Sequence, residues 1–278
     1  MKIINTFVIP HLNYPDLRKT LESIHRNTPK NFRIILVDCN KEYQQVDDLI
    51  DYHVFAPNKV LGFAKAVNLG IRLADTEYVS VWNDDCECIN PQWWDDTMEV
   101  FERYSTALGV NPSSPRNPRA AGEEPINPLV DYKPDFTDEE YEDIKNKCGK
   151  HIIDGICTFA TVFRKDRLDK TAGTIPGCWF DEYFYPGGGE DYDLNRRARL
   201  TKNKDNNLSG YRMLGGGGYV WHWWYSTKKP DGKPGVKHCG TAYSDKWGVD
   251  ADIFGNKGKQ LVPDNIIKPL EECLDVKW

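Results

Sequence analysis

The chain contains 278 residues, of which 40% are hydrophobic and 28% are charged, and its formal net charge is −6. This length accommodates one large α/β domain or two small ones, and we expect one. The acidic balance argues against a protein that coats nucleic acid, because sequence-independent phosphate binding requires a dense surface of lysine and arginine.

The first part of the chain alternates between predicted strands and predicted helices. Continuous apolar runs predict strands at residues 3–9, 32–37, 53–56 and 78–82, and apolar residues at helical spacing predict helices after Asp16 and over 62–74. This alternation is typical of a Rossmann-like α/β fold, with a mostly parallel central sheet flanked by helices. Since ligands of such sheets bind beyond the carboxyl ends of the strands, we expect Asp38 and the pair Asp84–Asp85 on one edge.

The rest of the chain has longer irregular stretches. A helix is predicted from Asn90 to about Tyr104, and a shorter acidic helix starts with a capping box formed by Thr137 and Glu140. Between them, residues 111–134 are rich in proline, which predicts a surface segment without regular structure. Apolar residues predict strands at 152–163 and 218–226, and a helix is predicted to run through Leu200.

Eight cysteines are distributed along the chain, and no two have the C-x-x-C spacing of a zinc or redox motif. We interpret them as free thiols of a reducing cytoplasm. Cys86 and Cys88 are candidate ligands for a soft metal, but the hard carboxylates beside them argue against that role. No apolar run approaches the eighteen or so residues of a membrane helix. We therefore expect a cytoplasmic protein, and association with a membrane surface through a partner stays open.

Two adjacent acids follow the predicted strand at 78–82, in the segment Asn83-Asp84-Asp85. Carboxylates at the end of a buried strand are hard oxygen ligands on a rigid support, and they suit Mg²⁺ or Mn²⁺ carrying a phosphorylated substrate. The same side chains also turn a chain and cap a following helix. A metal-dependent transferase is the first hypothesis, and a purely structural role is the alternative.

Four segments together resemble the family 2 glycosyltransferases with a GT-A fold, and one of them is residues 218–226, a predicted strand with His222 near its end. Residues 58–71, NKVLGFAKAVNLGI, are similar to the family's N-x-G-[FY]-[AS]-x-A-x-N-x-G-[IL] signature, with one additional residue before Gly62. The segment Asn83-Asp84-Asp85 occupies the place of the family's D-x-D motif, with asparagine at the first position. Residues 180–198, FDEYFYPGGGEDYDLNRRA, are similar to the family's F-D-E-x-F and E-D-x-D-L motifs. The resemblance extends from about residue 3 to residue 226.

The resemblance implies one site for a metal, a nucleotide sugar and a catalytic base. Asp191 is the candidate base that accepts the proton of the acceptor hydroxyl, and Glu190 contacts or orients the acceptor. Asp85 is the main metal ligand, and His222 completes the metal shell, with His238 as a weaker competitor. The donor nucleotide is expected to contact Pro10, Asp38, Asn58, Gly62, Lys65, Asn68, Asn83 and Asp84.

Glu190, Asp191 and Asp193 have a second interpretation, as first-turn acids that complement a helix dipole. A cap does not require the three glycines at 187–189, whose backbone freedom favours a loop that closes over a bound sugar.

These features predict an inverting glycosyltransferase that uses Mn²⁺ or Mg²⁺ and moves a sugar from a nucleoside-diphosphate donor to an acceptor hydroxyl. A UDP-sugar is the favoured donor, and the acceptor is a glycan, a lipid-linked glycan, a protein or a hydroxylated base in DNA. A nucleotidyltransferase and a catalytically silent nucleotide- or sugar-binding module are the alternatives. Residues 1–226 are expected to form a catalytic domain, with a nucleotide-binding part at 1–110 and an acceptor-binding part at 111–226, followed by a C-terminal extension or lid at 227–278.

Overall fold

The computed structural model describes residues 2–40, 44–56, 61–115, 131–148, 152–154, 158–171, 173–174, 176–185, 187–202, 207 and 210–223. The predictions for Asn58, His238 and residues 227–278 lie outside these ranges. The strands are β1 Asn5–His11, β2 Phe32–Asp38, β3 Tyr52–Phe55, β4 Tyr78–Trp82, β5 Cys86–Cys88, β6 Ala107–Ser113, β7 Ile153–Asp154, β8 Ala160–Arg164 and β9 Arg212–His222. The helices are α1 Leu17–Asn27, α2 Phe63–Leu73, α3 Gln92–Arg103, α4 Asp138–Cys148, α5 Lys165–Leu168 and α6 Glu190–Leu200, with a 3₁₀ turn at Asp47–Leu49.

The strands form a mixed sheet in the order β3-β2-β1-β4-β8-β6-β9-β5, with β7 paired to β9. The first four strands of this order are mutually parallel. Strand β8 runs antiparallel between β4 and β6, whereas β6 and β9 are parallel and β5 and β7 run antiparallel to β9. The predicted α/β class is confirmed, and the carboxyl ends of β1, β2 and β4 lie at one edge of the sheet.

Two apolar clusters cover the two faces of the sheet. Alternate residues of β1 contribute to each, since Phe7 packs in the cluster of α1 and α3, and Val8 packs in the cluster of α2 and α6. Helix α2 approaches β1 very closely, because a methyl group added to Gly70 would lie 2.3 Å from Val8 Cγ1. The sheet is therefore covered on both faces, as the alternation of strands and helices predicts.

The predicted capping box is present at the start of α4. The backbone N–H of Thr137 donates to Glu140 Oε2 at 3.1 Å, and the backbone N–H of Glu140 donates to Thr137 Oγ1 at 3.3 Å. The two side chains thus satisfy two amides that have no partner within the helix, which confirms the prediction.

The prediction of an irregular segment from residue 111 is wrong for residues 111–113. These residues belong to β6, which is buried between β8 and β9. The register of β6 against β9 shifts between Asn111 and Ser113. Pro112 therefore lies at an irregularity of the ladder, where a residue without an N–H is tolerated. Among the residues described, no helix combines the length and the apolar character that a membrane crossing requires.

Candidate active site

Three strand ends meet at the sheet edge where the sequence predicts a site. Strand β1 ends at His11, β2 ends at Asp38, and β4 leads directly to Asn83-Asp84-Asp85. His11 Nδ1 lies 2.7 Å from Asp84 Oδ2, and His11 Nε2 lies 3.3 Å from Asn40 Nδ2. The backbone N–H of Asn40 in turn donates to Asp38 Oδ1 at 2.8 Å. These contacts confirm that Asp38 and Asp84 lie on the same edge.

His11 is a site residue that the sequence interpretation missed. Pro10, which was predicted to line the donor pocket, lies beside it in β1 and pairs in register with Val37. His11 is only 2% exposed, and its ring bridges Asp84 and Asn40. The signal available in the sequence was its position as the first polar residue after the apolar run 7–10, at the carboxyl end of the strand, where ligands bind.

Asp84 is held through its backbone as well as its side chain. The Thr20 hydroxyl, on α1, donates a hydrogen bond to the Asp84 carbonyl at 2.6 Å. Because both its backbone carbonyl and its carboxylate are held, Asp84 needs little reorganisation when a ligand binds.

Asp85, the second member of the acid pair, meets His222 across two paired strands. Strand β5 pairs antiparallel with β9, which places Cys86 opposite His222. His222 Nε2 lies 3.2 Å from Asp85 Oδ1, and both residues are 4% exposed. The backbone N–H of Trp223 donates to the Asp85 carbonyl at 3.0 Å, which fixes the two chain segments together. The structure thereby brings together the two residues predicted as metal ligands.

These side chains fit a divalent cation. Asp85, Cys86 and His222 each offer one ligand atom, and the three atoms lie within 4.8 Å of one another. The carboxylate and the imidazole suit Mn²⁺, and a metal that carries a substrate leaves further positions to water and phosphate oxygens. The Cys86 thiol instead donates a hydrogen bond to the Phe159 carbonyl at 3.4 Å, and burial raises its pKa. Without a metal, Cys86 is therefore a neutral, hydrogen-bonded core thiol beside Asp85 and His222.

The other residues predicted to contact the donor lie around β2 and α2. Asp38 is 1% exposed, and its Oδ2 lies 3.4 Å from His53 Nε2. Gly62 precedes α2 with a φ of 76°, a conformation that favours glycine, and Lys65 lies half-buried in the first turn of that helix. The nucleotide contacts proposed for these residues stay predictions.

Asn68 directs its carboxamide toward the loop that precedes α6. Its Oδ1 accepts hydrogen bonds from the backbone N–H groups of Trp179 and Phe180, both at 3.0 Å. Its Nδ2 donates to the Phe180 carbonyl at 2.8 Å and to Glu182 Oε1 at 3.1 Å. This fully buried side chain therefore positions residues 179–182, and its predicted donor contact stays a prediction.

The acid pair Glu190–Asp191 begins helix α6, and both residues are 7% exposed. Asp191 Oδ2 accepts a hydrogen bond from the Thr158 N–H at 3.3 Å, and its Oδ1 accepts one from the Tyr192 N–H at 2.8 Å. The Glu190 carboxyl accepts a hydrogen bond from the Gly188 N–H. The acids therefore do occupy a helix start, as the structural interpretation predicts.

The surroundings of Glu190 and Asp191 affect the ionisation of the two acids differently. Burial, and then the charge of Asp191, raise the pKa of Glu190 to about 8. Two adjacent buried carboxyl groups are not both ionised at low cost, so one of them holds a proton. The two amide donors stabilise the Asp191 carboxylate. A proton held by this pair is therefore favoured on Glu190, and the amide donors favour the ionised form of Asp191.

A dipeptide connects this acid pair to Asp85 and His222, the candidate metal ligands. The Thr158 N–H donates to Asp191, as described above. The next residue, Phe159, stacks on the His222 ring and accepts a hydrogen bond from the Asn83 N–H at 2.7 Å. Asp191 and His222, the partner of Asp85, are thus each in contact with one of two consecutive residues.

Asp193 has a different partner from its acidic neighbours. Its Oδ2 lies 2.7 Å from Arg197 Nε, both side chains are buried, and Arg197 also donates to the Trp179 carbonyl at 2.8 Å. This pair ties α6 to the 179–182 segment, which is a structural role.

The chain matches the model of the family described as Glycosyl transferase family 2 over residues 6–170. The matched region contains the ends of β1 and β2, the start of α2 and the segment Asn83-Asp84-Asp85, and it ends before Glu190 and His222. No curated protein sequence matches the chain.

Solved structures of TarS from S. aureus are similar to this chain. The structure of TarS 1-349 in complex with UDP is 15% identical with a TM-score of 0.50, and the alignment covers 80% of this chain and 60% of that one. A longer TarS structure is 16% identical with a TM-score of 0.50, and covers 80% of this chain and 36% of that one. TarS 1-349 on its own is 13% identical with a TM-score of 0.49, and covers 80% and 60%. This chain therefore corresponds to 60% or less of these proteins, and at such identities the likeness supports the fold alone.

Proposed function

Because the chain belongs to glycosyl transferase family 2 and has the GT-A fold, we propose that it transfers a sugar from a UDP-linked donor to an acceptor hydroxyl with inversion at the sugar. Family membership gives the reaction class, which is sugar transfer. The UDP that the TarS complex contains supports the choice of nucleotide. The contacts of Asp85, His222 and Asp191 support the mechanism.

Asp85 and His222 are the residues that would hold a divalent metal ion, with Mn²⁺ or Mg²⁺ as the proposed cofactor. When bound, such an ion neutralises the negative charge that develops on the departing diphosphate. Asp85 is fixed by the Trp223 backbone and His222 by the Phe159 ring, so both ligands are oriented before the metal arrives. Asp84, oriented by His11, is proposed to contact the ribose.

Asp191 is proposed as the general base. Inversion in one step requires a carboxylate that takes the proton of the attacking hydroxyl while the diphosphate leaves from the opposite face of the sugar. Asp191 carries the negative charge of the acid pair, and the protonated Glu190 beside it supplies a donor that orients the acceptor. A transfer that inverts in one displacement step needs one general base, and the pair offers one ionised carboxylate for that role.

The donor nucleotide is proposed to lie along the edge formed by β1, β2 and the start of α2. Its contacts would come from Pro10, Asp38, Gly62, Lys65, Asn68, Asn83 and Asp84, with Asn58 outside the described residues. Residues 1–110 would hold the nucleotide and residues 111–226 the acceptor, with residues 227–278 as an extension or lid.

The observation that carries the proposal is the Thr158–Phe159 dipeptide, which contacts Asp191 on one side and His222 on the other. The test is a screen of nucleotide sugars with Mn²⁺ in which released UDP is measured by mass spectrometry. With the responsive donor, Asp191→Asn should lower kcat by about 100-fold or more and leave the affinity for Mn²⁺–UDP unchanged. Asp85→Asn should instead weaken Mn²⁺–UDP binding.

The matched control is Asp143→Asn, which alters an exposed acid on α4 that pairs with Lys147. It should retain wild-type turnover. Wild-type turnover in both site variants would overturn the residue assignments, and a product that retains the donor's anomeric configuration in NMR spectra would overturn inversion.

A further inference from the structure

The loop between Phe180 and the acid pair presents two tyrosines to solvent. Tyr183 is 44% exposed and Tyr185 is 60% exposed, whereas Phe184 between them is 2% exposed. The Tyr183 and Phe184 rings meet edge to face with centroids 5.7 Å apart. Three consecutive aromatic side chains thus point outward, inward and outward. Exposed apolar surface of this kind often marks a binding site.

Hydrogen bonds within the loop fix this alternation. Asp181 Oδ1 accepts from the Tyr183 N–H at 2.9 Å, the Asp181 carbonyl accepts from the Phe184 N–H at 3.3 Å, and the Tyr183 carbonyl accepts from the Tyr185 N–H at 2.9 Å. Asn68 holds the preceding residues from α2, as described above. The two tyrosines therefore project from a turn that is anchored to the core, which lowers the entropic cost of using them for binding.

We propose that Tyr183 and Tyr185 form an aromatic platform that stacks on the sugar rings of an uncharged carbohydrate acceptor. This inference rests on the proposed function, because it assigns the acceptor of that reaction. A pyranose ring packs its C–H face on an aromatic ring, whose face carries partial negative charge. The chain from Tyr185 to Glu190 spans at most about 18 Å when fully extended. An acceptor bound on the platform is therefore within a few sugar units of Asp191.

The charge of the loop selects between acceptor classes. Residues 179–189, which form the loop itself, contain the acids Asp181 and Glu182 and no lysine or arginine. Helix α6 then begins with Glu190, Asp191 and Asp193, and its arginines, at 196, 197 and 199, lie in its second half, where Arg197 pairs with Asp193. A polyanion such as DNA would be repelled here, since nucleic-acid binding depends on cationic contacts with phosphates. An uncharged carbohydrate fits both the rings and the charge.

The experiment measures binding of cellotetraose, maltotetraose and chitotetraose to the full chain by saturation-transfer NMR titration, with the oligonucleotide dT8 as the anionic probe. At least one tetrasaccharide should bind. Tyr183→Ala and Tyr185→Ala should each weaken its binding about tenfold, the change that corresponds to about 1.4 kcal/mol. Tyr183→Phe and Tyr185→Phe should bind as the wild type does, because the ring carries the interaction. Tyr52→Ala, which removes a tyrosine that is 48% exposed on β3, should have no effect.

The outcomes separate this platform from the proposed function. If no tetrasaccharide binds, or if the alanine variants bind as tightly as the wild type, the platform assignment is wrong. Binding of dT8 that is lost in the same variants would replace the carbohydrate with a nucleic acid and also overturn the proposal. The proposed function is judged separately by turnover of the donor, which can be measured as hydrolysis because water can replace the acceptor. A chain that turns over donor but does not use the tyrosines keeps the function, and one that binds sugar through them without turnover keeps the platform.

Discussion

The His222 imidazole stacks on the Phe159 ring, with ring centroids 4.6 Å apart and an angle of 17° between the planes. His222, a candidate metal ligand, ends β9, and the ring that orients it comes from Phe159, the residue before β8. Since the neighbouring Thr158 contacts Asp191, the proposed metal site and the proposed base are each in contact with one residue of the Thr158–Phe159 dipeptide. A change in either residue of this dipeptide should therefore affect both parts of the reaction.

Replacement of Phe159 by leucine tests this coupling. The smaller, non-planar side chain removes the stack that orients the His222 ring, so we expect about tenfold weaker Mn²⁺ binding, the lower end of the effect of residues that orient metal ligands. Isothermal titration of Mn²⁺ in the presence of UDP measures the change. Phe101→Leu, a matched change in the buried face of α3, should lower stability without altering Mn²⁺ affinity. Equal metal affinities in the wild type and Phe159→Leu would show that the stack does not position the ligand.

The contact between His11 and Asp84 should appear as an interaction energy. We expect His11→Ala and Asp84→Ala each to lower the free energy of unfolding, because each removes the hydrogen bond between these two side chains. A double-mutant cycle should give a coupling of about 1–2 kcal/mol in urea unfolding. His25→Ala is the control, since the His25 ring lies against the Leu49 carbonyl, at 2.9 Å, rather than against Asp84. A coupling near zero would indicate that the 2.7 Å contact is incidental.

Local sequence signals identify the N-terminal half of the fold. Strand β4 occupies the predicted residues 78–82, and α2 differs from its prediction by one residue at each end. These elements are amphipathic or continuously apolar, and their signals lie within the segment itself. Strand β5 was missed because three residues carry too little pattern, and β6 was missed because Pro112 reads as a breaker. Both strands depend on pairing with distant β9, which no local pattern reports.

The candidate site shows the same division. The family resemblance supplies the candidate metal ligands Asp85 and His222 and the candidate base Asp191, and their roles stay predictions. His11 and Phe159 belong to no such motif, and their roles arise from contacts with Asp84 and His222 that form only after the sheet assembles. Asn68 was identified as a motif residue, but its hydrogen bonds to the 179–182 segment connect positions more than 110 residues apart. Residues whose contacts form only in the folded chain are thus harder to identify from the sequence than residues within a motif.

Protonation of Glu190 should make stability depend on pH. The pKa of this carboxyl is raised from an ordinary value of 4.5 to about 8, so between these values the folded chain binds a proton that the unfolded chain has released. This contribution to stability is fully present below pH 4.5 and is lost as the pH rises through 8. We expect the free energy of unfolding to fall by up to about 1.4 kcal/mol per pH unit in this window.

Urea unfolding at several pH values between 5 and 8 measures this slope. Glu190→Gln should flatten it, because the amide resembles the protonated acid at every pH. Glu139→Gln, at an exposed position on α4, should leave the slope unchanged. A wild-type slope in Glu190→Gln would assign the pH dependence to another group.

Gly70→Ala should destabilise the chain even though alanine favours helices. The added methyl group would lie 2.3 Å from Val8 Cγ1 and 3.1 Å from its Cγ2, inside the contact distance of carbon atoms. We expect a loss of about 1–3 kcal/mol from this overpacking, which exceeds the gain of about 1 kcal/mol in helix propensity. The matched test is the double variant Val8→Ala/Gly70→Ala, in which the removed methyl groups make room for the new one. Thermal unfolding should show that the double variant loses less than the sum of the single changes, whereas additive losses would mean that α2 and β1 are less closely packed than this contact requires.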